Sequence, residues 1–273
     1  MTPLISIITV TYNSGPLLEA TLKSVLSQKD LDIEYFIIDG ASTDDTLEIL
    51  APYRDNIDCI VSESDNGIYD AMNKGVSRAT GHYLMFINAG DTLCDNAIEK
   101  IREELRSALD IYYFAYYNLT EIKGQKFLFE GPKCLILSHE IPTCHNAMVI
   151  SRKAFKDCGL YDTKYRLSAD YEWLCRNRDK LKGIHCNKKI IYSLLGGVSE
   201  VSNMSVLIEK ACIAKRYFGW NALPWHIIRF IEVAPLSGLK WVLIKVDIFD
   251  FYLSLKYMLK SRKTAKNRDM LNK

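Results

Sequence analysis

The 273-residue chain contains eight cysteines but no Cys-x-x-Cys pair, and none of its five histidines stands at a zinc-finger spacing. Its short patterns therefore define neither a zinc site nor a disulfide framework. Cys59 lies inside the apolar run DCIVSE, where a free thiol behaves as a small hydrophobe, so reduced thiols are expected. Two familiar phosphate loops are also missing. The first turn reads TYNSGPL, with one glycine where the dinucleotide fingerprint needs three, and no P-loop pattern occurs anywhere. No internal repeat is visible, and Thr2-Pro3 leads straight into a strand-like segment without a secretory leader, which points to the cytoplasm. The most apolar stretch, Lys240 to Leu259, carries Lys245, Asp247, Asp250 and Lys256. Four such charges would cost about 10 kcal/mol near a bilayer centre, and the apolar residues return roughly half of that, so no span is expected.

What is present is an ordinary globular composition, 48% hydrophobic and 25% charged. The net charge of +2 hides an uneven distribution: residues 204–273 hold 13 Lys/Arg against 5 Asp/Glu. The chain divides on this basis into a body, 1–203, and a helical, basic extension, 204–273. Two readings of the extension stand side by side. One is an amphipathic helix and basic SRKTAKNR tail lying on an anionic membrane surface. The other is a helix pair packed on the body or on a second copy, giving a homodimer. The body lacks interleaved basic and aromatic residues, so a nucleic-acid partner is not expected.

Leu4–Tyr12 and Ile33–Asp39 read as buried strands, Asp58–Glu63 as a shorter one, and Tyr83–Ile87 as a fourth. Between them, Pro16 opens a helix to about Gln28, Asp44 and Asp45 suit the first turn of a second, and Gly67–Ala79 forms a third. That third helix places Ile68, Met72, Val76 and Ala79 on one face and Asp70, Asn73 and Lys74 on another. Alternating strands and helices predict a mostly parallel α/β sheet with right-handed crossovers. After a helix at Asp95–Leu109 the pattern changes. Asp110–Leu119 and Lys126–Glu130 form an antiparallel pair, His145–Ile150 a strand, Ser151–Cys158 and Ser168–Lys180 helices, and Gly183–Leu195 a strand.

Open α/β sheets bind ligands beyond the carboxyl ends of their strands. Asp91, in the Asn88-Ala89-Gly90-Asp91 turn after the fourth strand, stands in that place; the competing reading is a cap for the following helix. Asn88 either joins a hard-cation site or makes an Asx turn. Asp39, ending the second strand, either accepts from a base or ribose or caps a helix. Asp170, beside Tyr171 and Trp173, is placed as a general base or as a helix cap. His145 in PTCHNAM is a ligand or a core histidine.

Five segments in order, SIITVTYNSGPLLEATLKSVLSQ, IIDGASTDDT, ESDNGIYDAMNKG, FINAGD and GLYDTKYRLSADYEWLCR, resemble the family 2 glycosyltransferases. The resemblance spans roughly residues 3–199 and is closest to bacterial enzymes of the colanic-acid type that build capsular or exopolysaccharide repeats. It implies the GT-A fold and a nucleotide-diphosphate sugar donor, UDP- or GDP-linked. It further implies a saccharide or lipid-linked acceptor, a divalent Mn²⁺ or Mg²⁺, and inverting transfer of a hexose at the inner face of the plasma membrane. By position, Thr11 and Asn13 would border the nucleotide, Asp39 would contact the base, and Asp65 the nucleotide sugar. Asp91 would hold the metal and Asp170 would be the catalytic base. His145, Gly196, Gly197 and Asn88 would line the acceptor side or support the site. Two positions depart from the family pattern: Asn88 replaces a frequent Asp, and Ala169 a frequent Glu. These leave a second class open, a non-catalytic binder of nucleotide sugars or glycans.

Overall fold

The computed structural model describes residues 2–105, 108–122, 125–131, 134, 136–195 and 204–233. Four strands come first: β1 (Ile5–Thr11), β2 (Ile33–Asp39), β3 (Cys59–Ser62) and β4 (Tyr83–Phe86). Helices α1 (Gly15–Leu26), α2 (Thr46–Leu50) and α3 (Ile68–Arg78) connect them, α2 running on into a 3₁₀ turn. These strands lie parallel in the order β3-β2-β1-β4, with Thr11 paired to Asp39 at their carboxyl ends. Because the connections leave β1 in opposite directions, a crevice opens between the ends of β1 and β4.

The second half extends the same sheet. β5 (Thr92–Leu93), β6 (Ile111–Ile122), β7 (Gln125–Glu130), β8 (Met148–Ser151) and β9 (Gly183–Leu194) continue it as β4-β8-β6-β9-β5, with β7 beside β6. β8 runs antiparallel to β4 and β6, and β6 runs parallel to β9. Helices α4 (Ala97–Glu104), α5 (Arg152–Cys158) and α6 (Ala169–Asn177) complete residues 1–200.

Alternation along the buried strands sends side chains to two helical layers. Ile5, Ile7, Tyr35, Ile37, Met85 and Ile87 meet α1 and α4, whereas Ile8, Val10, Phe36, Ile38, Leu84 and Phe86 meet α3, α5 and α6. α3 approaches the sheet so closely at Gly75 that a Cβ there would lie 2.5 Å from Ile8 Cγ2. One carboxylate is used inside this frame. Buried Glu34 accepts from Ser6 Oγ, from Thr80 N and Oγ1, and from Gly81 N, which fixes the turn between α3 and β4.

Several boundaries differ from the sequence expectation. The helix read at Asp95–Leu109 begins at Ala97, with Asn96 in the left-handed region at φ 55°. The strand read from His145 begins at Met148, because His145–Ala147 form a 3₁₀ turn, with Asn146 and Ala147 buried. On α3 the buried face is Tyr69, Ala71, Met72, Gly75 and Val76, and Ile68 is only partly covered. Residues 201–273 form a second compact unit, in which α7 (Met204–Phe218) and α8 (Leu223–Val233) are joined by a 3₁₀ turn. No helix among the described residues is long and apolar enough to cross a membrane; the stretch 240–259 lies outside them.

Candidate active site

The first cluster forms where β1 and β2 end. Asn13, at φ 48°, accepts from Thr43 N at 2.8 Å through Oδ1 and donates its own N–H to Ser42 Oγ at 2.8 Å. Asp39 is fully buried; Ser42 and Ser62 hydroxyls and the Ser42 amide donate to it. It therefore shapes the loop rather than simply capping α2, whose first turn is held instead by Asp44 bonding Thr46. Thr11 Oγ1 is buried without a partner among the described residues. Asp65 reaches over the same loop: a Cβ on Gly40 would meet its Oδ2 at 2.6 Å, while its Oδ1 accepts from Gly67 N. Tyr12, 60% exposed beside Gly40, offers a free ring face at this edge.

The polar face of α3 explains how Asp65 is placed. Asp70 accepts from Asn66 N at 2.9 Å, and Lys74 donates to Ser64 O at 2.7 Å and pairs with Glu63. The loop 63–67 is thereby tied down on both sides of Asp65. The same helix is tied to the segment after α5, since Asn73 bonds both the N–H and the C=O of Tyr161.

The second cluster is the turn after β4. A polar stripe on α1 and just past its end grips it: Thr21 Oγ1 accepts from Gly90 N and donates to Asp91 O, Ser24 accepts from Leu93 N, and Gln28 donates to Cys94 O. Asp91 does not cap α4. It is buried, accepts from Leu194 N at 2.7 Å through Oδ1, and accepts from Asn146 Nδ2 through Oδ2. Burial pushes its pKa up to about 7, against the lowering by the Leu194 amide, Ser193 and Asn88. Two amide oxygens nearby in the fold, Asn88 Oδ1 and Asn146 Oδ1, are buried without partners among the described residues.

This donor set can be tested against a divalent cation. Among the described residues no three His, Cys, Asp or Glu groups cluster as a metal cage. One carboxylate with two unpartnered amide oxygens nevertheless fits a hard cation that takes the rest of its ligands from phosphates and water. A buried carboxylate lacking any cationic partner is the group such an ion would stabilise.

The third cluster centres on Asp170, in the first turn of α6, 9% exposed. Its Oδ1 accepts from Tyr69 Oη and from Tyr171 N, both at 2.8 Å. Its Oδ2 faces His145 Nδ1 at 4.0 Å. His145 Nε2 in turn lies 3.0 Å from Asn88 Nδ2. Burial holds His145 below its ordinary value of 6.5, partly opposed by the Asp170 charge. The aromatic cluster Phe155, Tyr161 and Trp173 and the Trp173 Nε1 bond to Gly159 O at 2.6 Å seat the helix.

Thr11, Asn13, Asp39 and Asp65 thus gather at one end of the crevice. Asn88, Asp91, His145 and Asp170 are joined at the other, whereas Gly196 and Gly197 lie outside the described residues. Three residues were not singled out from the sequence. Tyr69 and Asn146 each touch a candidate carboxylate, and Tyr12 flanks the loop after β2. Asn146 had a visible signal, a second polar residue beside His145 in the break before β8; Tyr69 looked like any core aromatic.

A mixed, mostly parallel sheet flanked by helices, with carboxylates at the switch point, defines a nucleotide-diphospho-sugar transferase of the GT-A fold. The chain belongs to that class's glycosyl transferase family 2, whose model matches residues 6–159. It is 34% identical over 183 residues to a PGL/p-HBAD biosynthesis glycosyltransferase of Mycobacterium tuberculosis, covering 64% of this chain and 69% of that one. Its fold matches Staphylococcus aureus TarS 1–349 in complex with UDP-GlcNAc at a TM-score of 0.62 and 15% identity, over 86% of this chain and 74% of that one. It also matches a Pyrobaculum calidifontis mannosyltransferase in complex with GDP-Man and Mn²⁺ at 0.58 and 14%, over 94% and 84%.

Proposed function

We propose that this chain is an inverting, metal-dependent hexosyltransferase that moves a sugar from a UDP- or GDP-linked donor to a hydroxyl of a glycan or lipid-linked saccharide. The observation that carries the reading is the Asp170 carboxylate, held through one oxygen and open at the other, across the crevice from the turn that holds Asp91. Thr11, Asn13 and Asp65 line the nucleotide end, where Tyr12 presents a face for a base and Asp39 keeps the loop in shape. Asp91 with Asn88 Oδ1 and Asn146 Oδ1 would hold a divalent cation, which when bound supplies positive charge against the departing diphosphate. Asp170 Oδ2 takes the proton of the acceptor hydroxyl as its oxygen attacks the anomeric carbon from the side opposite the diphosphate. Burial among Tyr69, Tyr161 and Trp173 limits water around the base, which strengthens its interactions with the reacting hydroxyl.

The complexes of the structural neighbours with UDP-GlcNAc and with GDP-Man and Mn²⁺ support the donor class and the metal. The relative's part in PGL/p-HBAD biosynthesis supports a biosynthetic glycosyl transfer. We place this work at the cytoplasmic membrane face, with a catalytic unit of residues 1–203 and the basic extension 204–273 directed at anionic lipid. The test is turnover of a panel of UDP- and GDP-sugars with MnCl₂. Asp170→Asn should lower transfer about 10²–10⁴-fold, the usual share of general-base catalysis, while binding of UDP measured by calorimetry stays within a few-fold. Retained turnover in that variant would remove Asp170 as the base.

A further inference from the structure

His145 sits between the two halves of the proposed machinery, and its two ring nitrogens face different partners. Nε2 lies 3.0 Å from Asn88 Nδ2, and Nδ1 lies 4.0 Å from Asp170 Oδ2. The tautomer follows from these neighbours rather than from visible hydrogens. With Asn88 turned so that Nδ2, a donor only, faces the ring and Oδ1 is left for the cation, Nε2 accepts and Nδ1 carries the proton. The opposite tautomer would aim an imidazole lone pair at the Asp170 carboxylate and set N–H against N–H at Asn88. The Nδ1–H tautomer aims a donor at the carboxylate instead, which is the attractive arrangement.

The 4.0 Å separation is too long for a direct hydrogen bond and suits one oxygen bridging the two groups. The remaining bonds of Asp170 show which side is open. Tyr69 and the Tyr171 amide both donate to Oδ1, and among the described residues Oδ2 accepts nothing. Oδ2 and the His145 Nδ1–H thus form a notch with one acceptor and one donor. A hydroxyl group is the small group that answers both, donating its proton and accepting at a lone pair.

The geometry points to His145 as the residue that seats the acceptor hydroxyl: Nδ1–H donates to the hydroxyl oxygen while Asp170 Oδ2 receives its proton. This rests on the proposed role of Asp170. When the new C–O bond forms, the hydroxyl proton passes to Oδ2 and the electron pair of the broken anomeric bond leaves on the diphosphate. His145 remains neutral throughout, its proton held on Nδ1 because Asn88 occupies Nε2. A ligand lacking a proton, an ether oxygen or a ketone, satisfies His145 but leaves Oδ2 without a donor. The notch therefore selects hydroxyl acceptors.

Two substitutions separate seating from support. Asn places an amide near the Nδ1 position and keeps a donor toward the notch. Gln reaches the Nε2 position and keeps the contact with Asn88 only. His145→Asn should therefore retain most sugar transfer to a panel of p-nitrophenyl glycosides, with water as the minimal acceptor on the same donors. His145→Gln should lose it about 10–100-fold, chiefly as a raised KM for the glycoside, with UDP affinity in MnCl₂ unchanged. The reverse order would show that His145 only supports Asn88 and would overturn the proposal. A ¹⁵N spectrum of the imidazoles, with the His145 signals assigned by their absence from His145→Asn, reads the tautomer without any substrate. Protonation at Nδ1 is expected, and protonation at Nε2 would equally overturn it. Asp170→Asn run alongside separates the two levels. If it stays active, the base reading fails and takes this one with it; if it is inactive while Asn and Gln behave alike, only the seating role fails.

Discussion

The phenol of Tyr69 donates to Oδ1 of Asp170 across 2.8 Å, joining α3 to the first turn of α6 over a sequence separation of 101 residues. Both groups are buried, and the phenol is held well above its ordinary pKa, by burial first and then by the Asp170 charge, so it stays a donor at every working pH. The contact leaves the carboxylate one open oxygen with a fixed direction.

Tyr69→Phe should keep the ring packing against Tyr161 and remove only this donor. A hydrogen bond to a charged group contributes about 1.5–3 kcal/mol, so kcat should fall roughly 10–100-fold. UDP affinity should not move. An unchanged kcat would mean that the Tyr171 amide alone orients the base.

Asp91 predicts a conflict between stability and binding. Its pKa is raised by burial to about 7, so the folded state holds the proton more tightly than the unfolded chain does. That contribution is complete at pH below the ordinary carboxylate value near 4 and is lost as pH rises through about 7, at a scale of up to about 4 kcal/mol. Asp91→Asn should flatten this decline in urea titrations at pH 5 and pH 8, because a flipped Asn146 amide can pair with the new side chain. The same variant should abolish Mn²⁺-dependent UDP binding. In the wild type, Mn²⁺ affinity should drop about tenfold per pH unit below 7, since only the ionised carboxylate is a ligand. A flat pH dependence would show that Asp91 is not the ligand.

Glu34 should matter to stability alone. Glu34→Ala leaves Thr80 N and the buried Ser6 hydroxyl without their acceptor, while Gly81 N keeps Ser6 Oγ at 3.0 Å. A buried unsatisfied group costs about 1–3 kcal/mol, so the loss should reach about 1–3 kcal/mol by urea denaturation. The folded fraction should bind UDP normally, because this cluster lies at the amino ends of β1 and β4, away from the crevice. A change below 1 kcal/mol would show that water replaces the carboxylate.

Removal of residues 204–273 tests the extension. If its basic charge directs the protein to lipid, the full chain should co-sediment with anionic vesicles at low salt and the shortened one should not. Failure of the full chain to sediment, with a halved mass on truncation, would favour the homodimer.

Much of this protein was determined locally. The β-branched and apolar runs at Ile5–Thr11, Ile33–Asp39 and Tyr83–Phe86 have no stable place except a buried parallel sheet, and the breaks after them had to lie at its carboxyl edge. Asp39, Asp91 and Asp170 stand out in the sequence because each carboxylate falls at such a break or at a helix start. What their oxygens do was decided only by the fold. Asp91 has the spacing of a helix cap, yet its partners are Asn146 and Leu194, 55 and 103 residues away. Asp39 has the position of a base contact or a helix cap, and the fold encloses it between Ser42 and Ser62. Tyr69 carried no local mark, since a core aromatic satisfies the same apolar pattern whether or not it touches a carboxylate, and nothing local decided between the ligand and core readings of His145. Periodicity records which face of an element is buried; it holds no information about which polar atom from a distant segment arrives there, and that arrival gives Asp170 one closed oxygen and one open one.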